Sequence, residues 1–117
     1  RGPAAPGHLW EACLNQTLVC IDCGLIHDWG SFHDVFARAL GFPAYYGRNL
    51  DAWIDVMGDP GQRSGGDQDT LLVLRLDQTG LLRGHAPEIW TALLDCAAFV
   101  NQRRLEAGAP ACLVLAY

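Results

Sequence analysis

The sequence predicts an α/β domain, a small sheet of three parallel strands with three to four helices packed on it. Three observations lead there. Short apolar runs recur at 17–24, 70–76 and 111–117, each with the length of a strand. Stretches with helical spacing separate them. Strands that are nearly all apolar and alternate with helices favour parallel pairing and burial on both faces. At 117 residues the chain fits one domain, long enough to bury a core without disulfide or metal staples.

Residues 1–16 read as an N-terminal extension and 17–117 as the domain. The opening "RGPAAPGHLW" is rich in Pro, Gly and Ala, has no apolar signal-peptide core and lacks an initiator Met. It is therefore expected to be trimmed or cut from a longer product. "TLVCIDCG" at 17–24 is the first strand, ended by Gly24. A helix is expected over about 31–40, with Ser31 as its N-cap. Phe32, Val35, Phe36, Ala39 and Leu40 recur at helical spacing, and Pro43 stops the run. Gly47 is expected to supply a turn with an unusual backbone angle. Asn49 caps a second helix over about 49–58, whose inward stripe is Leu50, Trp53, Ile54 and Met57. "GDPGQRSGGDQD" at 58–69 reads as a mobile loop. "TLLVLRL" at 70–76 is the second strand, and 77–84 holds a short helical turn. A long amphipathic helix follows over about 87–107, with Pro87 in its first turn and Gly108 as its stop. "ACLVLAY" at 111–117 is the last strand.

Half the residues are hydrophobic and 18% are charged, which marks a globular chain and not a disordered one. The formal net charge of −5 argues against direct binding to nucleic acid and favours a basic protein partner. No apolar run approaches the ~20 residues of a membrane span. The five cysteines, an odd number without a secretory signal, suggest a reducing, cytoplasmic setting. "CIDC" at 20–23 matches a redox motif or half a zinc site. Yet i and i+3 on a strand point to opposite faces, and no second cysteine pair has metal spacing. Core packing is the stronger reading for Cys20 and Cys23, with no metal or cofactor expected. His8, His27, His33 and His85 are scattered, and His33, on or near the face of the first helix, reads as structural or surface.

Asp51 and Asp55 raise a sharper question. Like charges one helical turn apart cost an isolated helix roughly 0.2–0.5 kcal/mol. Asp51 is explained by a favourable charge in a helix's first turn, whereas Asp55 lies beyond it. An acid/base pair of the kind used in glycoside hydrolysis lacks an apolar pocket to raise one pKa. A positively charged partner is the better candidate, and no enzymatic activity is expected.

The stretch "FPAYYGRNLDAWIDVM" at 42–57 closely resembles the signature of the barstar family of intracellular ribonuclease inhibitors. The match rests on Pro43, Tyr45, Tyr46, Gly47, Asn49, Leu50, Asp51, Ala52 and Asp55. The element order over about 17–117 is similar too. The resemblance implies a 1:1 complex with a secreted, small, basic, barnase-like ribonuclease, without nucleic acid or membrane. It implies that the second helix and the loop before it plug the nuclease active site, with Asp51 and Asp55 standing where the RNA phosphate would sit. It implies partner contacts from Tyr45, Gly47, Asn49, Asp51, Ile54, Asp55 and Arg103, while Tyr46 reads as a loop anchor. Three features depart from the pattern. Ile54 stands where the family carries a Trp, and Trp53 precedes it. Counting back from Gly108 puts Arg103 where the family has an acidic contact, with Glu106 the nearest acid. The 58–69 loop is long. These departures bear on which nuclease is bound more than on the class of function. A barstar-fold immunity protein for a different nuclease or basic partner is the alternative, and a thiol or metal protein using Cys20 and Cys23 a weaker one.

Overall fold

A computed structural model describes residues 16–63 and 70–117. The elements run β1 (Gln16–Asp22), a 3₁₀ turn (Cys23–Leu25), α1 (Trp29–Leu40), α2 (Leu50–Met57) and a second 3₁₀ turn (Pro60–Gln62). Then come β2 (Leu71–Asp77), α3 (Thr79–His85), α4 (Pro87–Glu106) and β3 (Leu113–Ala116). The strands form one sheet in the order β1-β2-β3, and both pairs are parallel. The α/β architecture is the one the sequence predicts.

Burial on both faces is not observed. The register places Val19 opposite Leu74, and Leu74 opposite Leu115. That face carries Ile21, Leu72, Leu74, Leu76 and Leu113 into the core, and all four helices add to it through residues such as Phe36, Trp53, Leu82 and Leu93. The other face, with Leu18, Cys20, Arg75 and Val114, is exposed. A three-stranded sheet has two edge strands, and here the helices cover one side only. An apolar run cannot reveal this, because Leu18 and Val114 look the same in sequence whichever way they point.

Three local expectations are corrected. The first strand ends at Asp22, and Cys23 and Gly24 belong to the 3₁₀ turn, where the Asp22 carboxylate accepts from Gly24 N–H. Helix α1 starts at Trp29, and its N-cap is Asp28, not Ser31. Asp28 Oδ1 accepts from Ser31 N–H at 2.8 Å, and Ser31 Oγ accepts from Asp28 N–H at 3.0 Å. Ser31 is thus the third helical residue, closing a capping box. The bonds from Ser31, backbone first, hold the Asp28 pKa below its ordinary value. Finally, the 58–69 segment is not loop throughout. Pro60 and Arg63 are buried, while 64–69 lies outside the described residues, as do residues 1–15 of the extension expected at 1–16, whose last residue, Gln16, opens β1.

Candidate partner-binding site

Helix α2 has eight residues, too few to be stable alone in water. Its inner face is anchored by packing. Trp53 is fully buried, with its ring 5.5 Å from Phe36 and 6.1 Å from Phe32. Val56 and Met57 are buried beside it. The substitution of order at 53 and 54 therefore sends the tryptophan inward, while Ile54 is only partly buried. Trp53 Nε1 finds no hydrogen-bond acceptor among the described residues.

Both ends of α2 are held by side chains. At the start, Asn49 Oδ1 accepts from Ala52 N–H at 2.8 Å, as its sequence position predicts. At the finish, two buried arginines reach the last carbonyls. Arg63 Nε donates to Met57 O at 3.0 Å, and Arg104 Nη1 donates to Gly58 O at 3.0 Å. Arg104 Nε also donates to Pro110 O at 2.7 Å. Cations at a helix C-terminus satisfy orphan carbonyls and suit the helix dipole. Sequence reasoning missed both arginines. Their charge was visible, but no local pattern says which carbonyl a distant arginine will reach.

The loop before α2 is fixed just as firmly. Tyr46 turns inward, packs on Phe42 at 4.7 Å, and its hydroxyl lies 2.6 Å from Nδ1 of buried His33. With the imidazole proton on Nε2, Nδ1 accepts the phenol proton. Burial pushes the Tyr46 hydroxyl pKa up. Burial first, then the Arg48 charge, lowers that of His33. Tyr46 is thus the loop anchor expected of it, and His33 takes the structural of the two roles expected, buried rather than on the surface. The unusual backbone angle expected at Gly47 falls instead on Arg48, at φ 55°. A left-handed conformation costs a non-glycine residue roughly 1–2 kcal/mol. Arg48 is held there by Asp34 Oδ1 at 2.7 Å and Gly30 O at 3.1 Å, both on α1. A Cβ on Gly47 would meet Ala52 Cβ and Asn49 Nδ2 at 3.4 Å each, an ordinary contact distance, so neither space nor backbone angle demands glycine there.

With its inner face and ends engaged, α2 presents Asp51 and Asp55 outward, both exposed. Tyr45 stands beside them, 76% exposed, its hydroxyl donating to Gln62 Oε1 at 3.2 Å. Asp55 is the ridge between two shallow clefts. One, of about 240 Å³, runs to Tyr45 and Gly47, and the other, of about 250 Å³, runs to Ile54 and Arg103. Arg103 Nη1 donates to Asp55 Oδ1 at 3.2 Å. Both side chains are more than half exposed, so this pair adds only about 0–1 kcal/mol to stability. The structure thus gathers Tyr45, Gly47, Asn49, Asp51, Ile54, Asp55 and Arg103 around one helix. Neither carboxylate is enclosed in an apolar pocket of the kind that equips a catalytic acid.

The cysteines are dispersed. Core packing is expected for both cysteines of the 20–23 pair, but only Cys23 is buried; Cys20 lies on the uncovered face of β1 and is exposed. Burial, followed by the charges of Asp22 and Asp77, pushes the Cys23 thiol up to about 11, which leaves it protonated and unreactive at neutral pH. Among the described residues no three His, Cys, Asp or Glu side chains gather as a metal site, and no helix is long and apolar enough to cross a membrane.

Fold and site together define an α/β domain that displays an acidic helix on a rigid base. The family profile described as Barstar (barnase inhibitor) matches residues 16–116, so the chain belongs to the Barstar family. Comparison with curated proteins finds no match.

Proposed function

We propose that the protein inhibits a small, basic, guanyl-specific ribonuclease by seating α2 and the 43–49 loop in its active site. The observation that carries this reading is the outward pair Asp51 and Asp55, on a helix whose inner face and both ends are engaged. Each carboxylate accepts charge-assisted hydrogen bonds from cationic groups that otherwise grip RNA phosphate. Tyr45 adds a rigid aromatic contact, Gly47 admits the partner's backbone, and Asn49 fixes the helix start. Ile54 lines the cleft next to Asp55. The complex is 1:1, the inhibitor performs no turnover of its own, and it acts in the cytoplasm against a nuclease destined for secretion.

Asp55→Ala tests the reading. Stranding cations that a buried carboxylate would have met costs about 2–5 kcal/mol, a range to which barnase–barstar complexes themselves contribute. Inhibition should weaken by that amount. Thermal melts should barely move, because the exposed pair with Arg103 is lost while repulsion from Asp51 is relieved. Association should also slow as salt rises. Equal inhibition by Asp55→Ala and the parent would remove α2 from the binding surface.

A further inference from the structure

Arg103 is the positive charge that α4 places against the acidic face of α2. Its Nη1 donates to Asp55 Oδ1 at 3.2 Å, and its guanidinium lies over the Phe99 ring at 5.8 Å. Phe99 is itself 46% exposed. Asp95, Phe99 and Arg103 follow at i, i+4 and i+8 on α4, so they share one side of that helix. At the other end of this row, Asp51 and Asp95 both act on Cys96, whose thiol pKa is raised by burial first and then by their charges. The surface is therefore graded along its length. It is acidic around Asp51 and Asp95, and mixed where Asp55 meets Arg103.

A wholly cationic partner face fits the first end and not the second. A cation brought to Asp55 comes within a few ångströms of Arg103, and the two repel once water is expelled. Arg103 is already held from two sides, by the carboxylate and by the ring. Its fork carries five N–H donors, and the bond to Asp55 uses one. Such a fork suits a carboxylate from outside.

Resting on the inhibitor reading, we infer that Phe99 and Arg103 form a second contact patch that receives a carboxylate of the ribonuclease. The partner then carries an Asp or Glu next to the cation that meets Asp55. Charges alternate across the closed interface: partner cation, Asp55, Arg103, partner carboxylate. Phe99 supplies the apolar floor beneath the guanidinium. Arg103 becomes a specificity residue, since a nuclease with a cation at that point is repelled.

The test uses the whole chain and its Arg103→Glu, Arg103→Gln and Phe99→Ala variants. Inhibition is measured against barnase and other purified small, basic, guanyl-specific ribonucleases, with thermal melts alongside. For the nuclease that the parent inhibits best, Arg103→Glu should weaken inhibition about 30-fold or more, as expected for opposing a desolvated charge to a like one. Arg103→Gln and Phe99→Ala should weaken it less. Reversing one carboxylate of that nuclease to lysine should weaken the parent and restore Arg103→Glu, an exchange that a purely structural role would not produce. If Arg103→Glu inhibits as well as the parent or better, the patch is overturned and the inhibitor reading stands. Weakening that no nuclease reversal rescues overturns the patch as well. If the parent inhibits none of these ribonucleases, the inhibitor reading fails and the patch with it.

Discussion

Helices α1 and α2 follow one another in the chain and are finished by different means. Helix α1 is closed by its neighbours. Asp28 and Ser31 cap its start, and Gly41, at φ 62°, turns the chain so that its N–H reaches Ala37 O. Helix α2 has the Asn49 cap at its start, and at its end Gly58 N–H reaches Ile54 O, but two carbonyls beyond that bond take arginine donors as well. Its final carbonyls depend on Arg63 and on Arg104 from another helix. The difference teaches that the helix proposed to meet the partner is an assembled part. Its rigidity is a property of the whole fold, while that of α1 is written into a short run of residues.

The comparison is broken most directly at Arg104. Arg104→Met removes the donor to Gly58 O and the donor to Pro110 O. Losing such bonds costs about 1–3 kcal/mol for each group left unsatisfied. Urea unfolding should show a loss of about 2–3 kcal/mol, and inhibition should fall because α2 is no longer clamped. Unchanged stability would make the clamp incidental. Gly41→Ala probes the other helix. Forcing a Cβ into the left-handed region costs about 1–2 kcal/mol, so stability should fall while inhibition constants hold. If both variants damage inhibition alike, the distinction between the two helices collapses. Asn49→Ala should be milder still, about 1 kcal/mol in unfolding, with a looser α2 read as faster amide exchange at Ala52.

The smallest effect lies at the joint between the two helices. His33 on α1 holds Tyr46 in the loop leading to α2, with Arg48 and Asp34 nearby. Its pKa is lowered from 6.5 in the folded protein. The unfolded chain therefore takes up the proton first as pH falls. The stability that neutral His33 contributes is present above about pH 6.5 and is lost progressively below it. Melting temperature should decline as pH falls below about 6.5, and His33→Gln, which cannot titrate, should flatten that slope. Loss of the Asp28 cap belongs to a lower window. Its lowered pKa keeps its contribution until the carboxylate protonates, below about pH 4.

What could be read from the sequence follows the same division. Period and punctuation gave the element order, the limits of α4 with its Gly108 stop and the Asn49 cap, and placed Asp51 and Asp55 one turn apart on α2. These depend on residues a few positions apart. The one-sided sheet, the buried Arg63 inside an apparently loose loop, and the left-handed Arg48 tied to Asp34 all depend on partners from other elements. Spacing says nothing about such partners. Asp28 was a different kind of miss. Its cap lay within reach of local reading, but Ser31 is an equally good capping residue and stood closer to the apolar stripe.

The reach from Gly58 to Arg104 spans 46 positions, and it sets an order of events during synthesis. A chain made from its N-terminus completes α2, with both aspartates, well before the residue that seats its last turn exists. Helix α4 must be finished and turned at Gly108 before Arg104 can bridge Gly58 and Pro110. A chain halted before that point carries every proposed contact residue of α2 on a helix whose Gly58 carbonyl has yet to meet Arg104. The clamp on the proposed binding helix is therefore completed late, together with β3, which adds the last edge to the sheet.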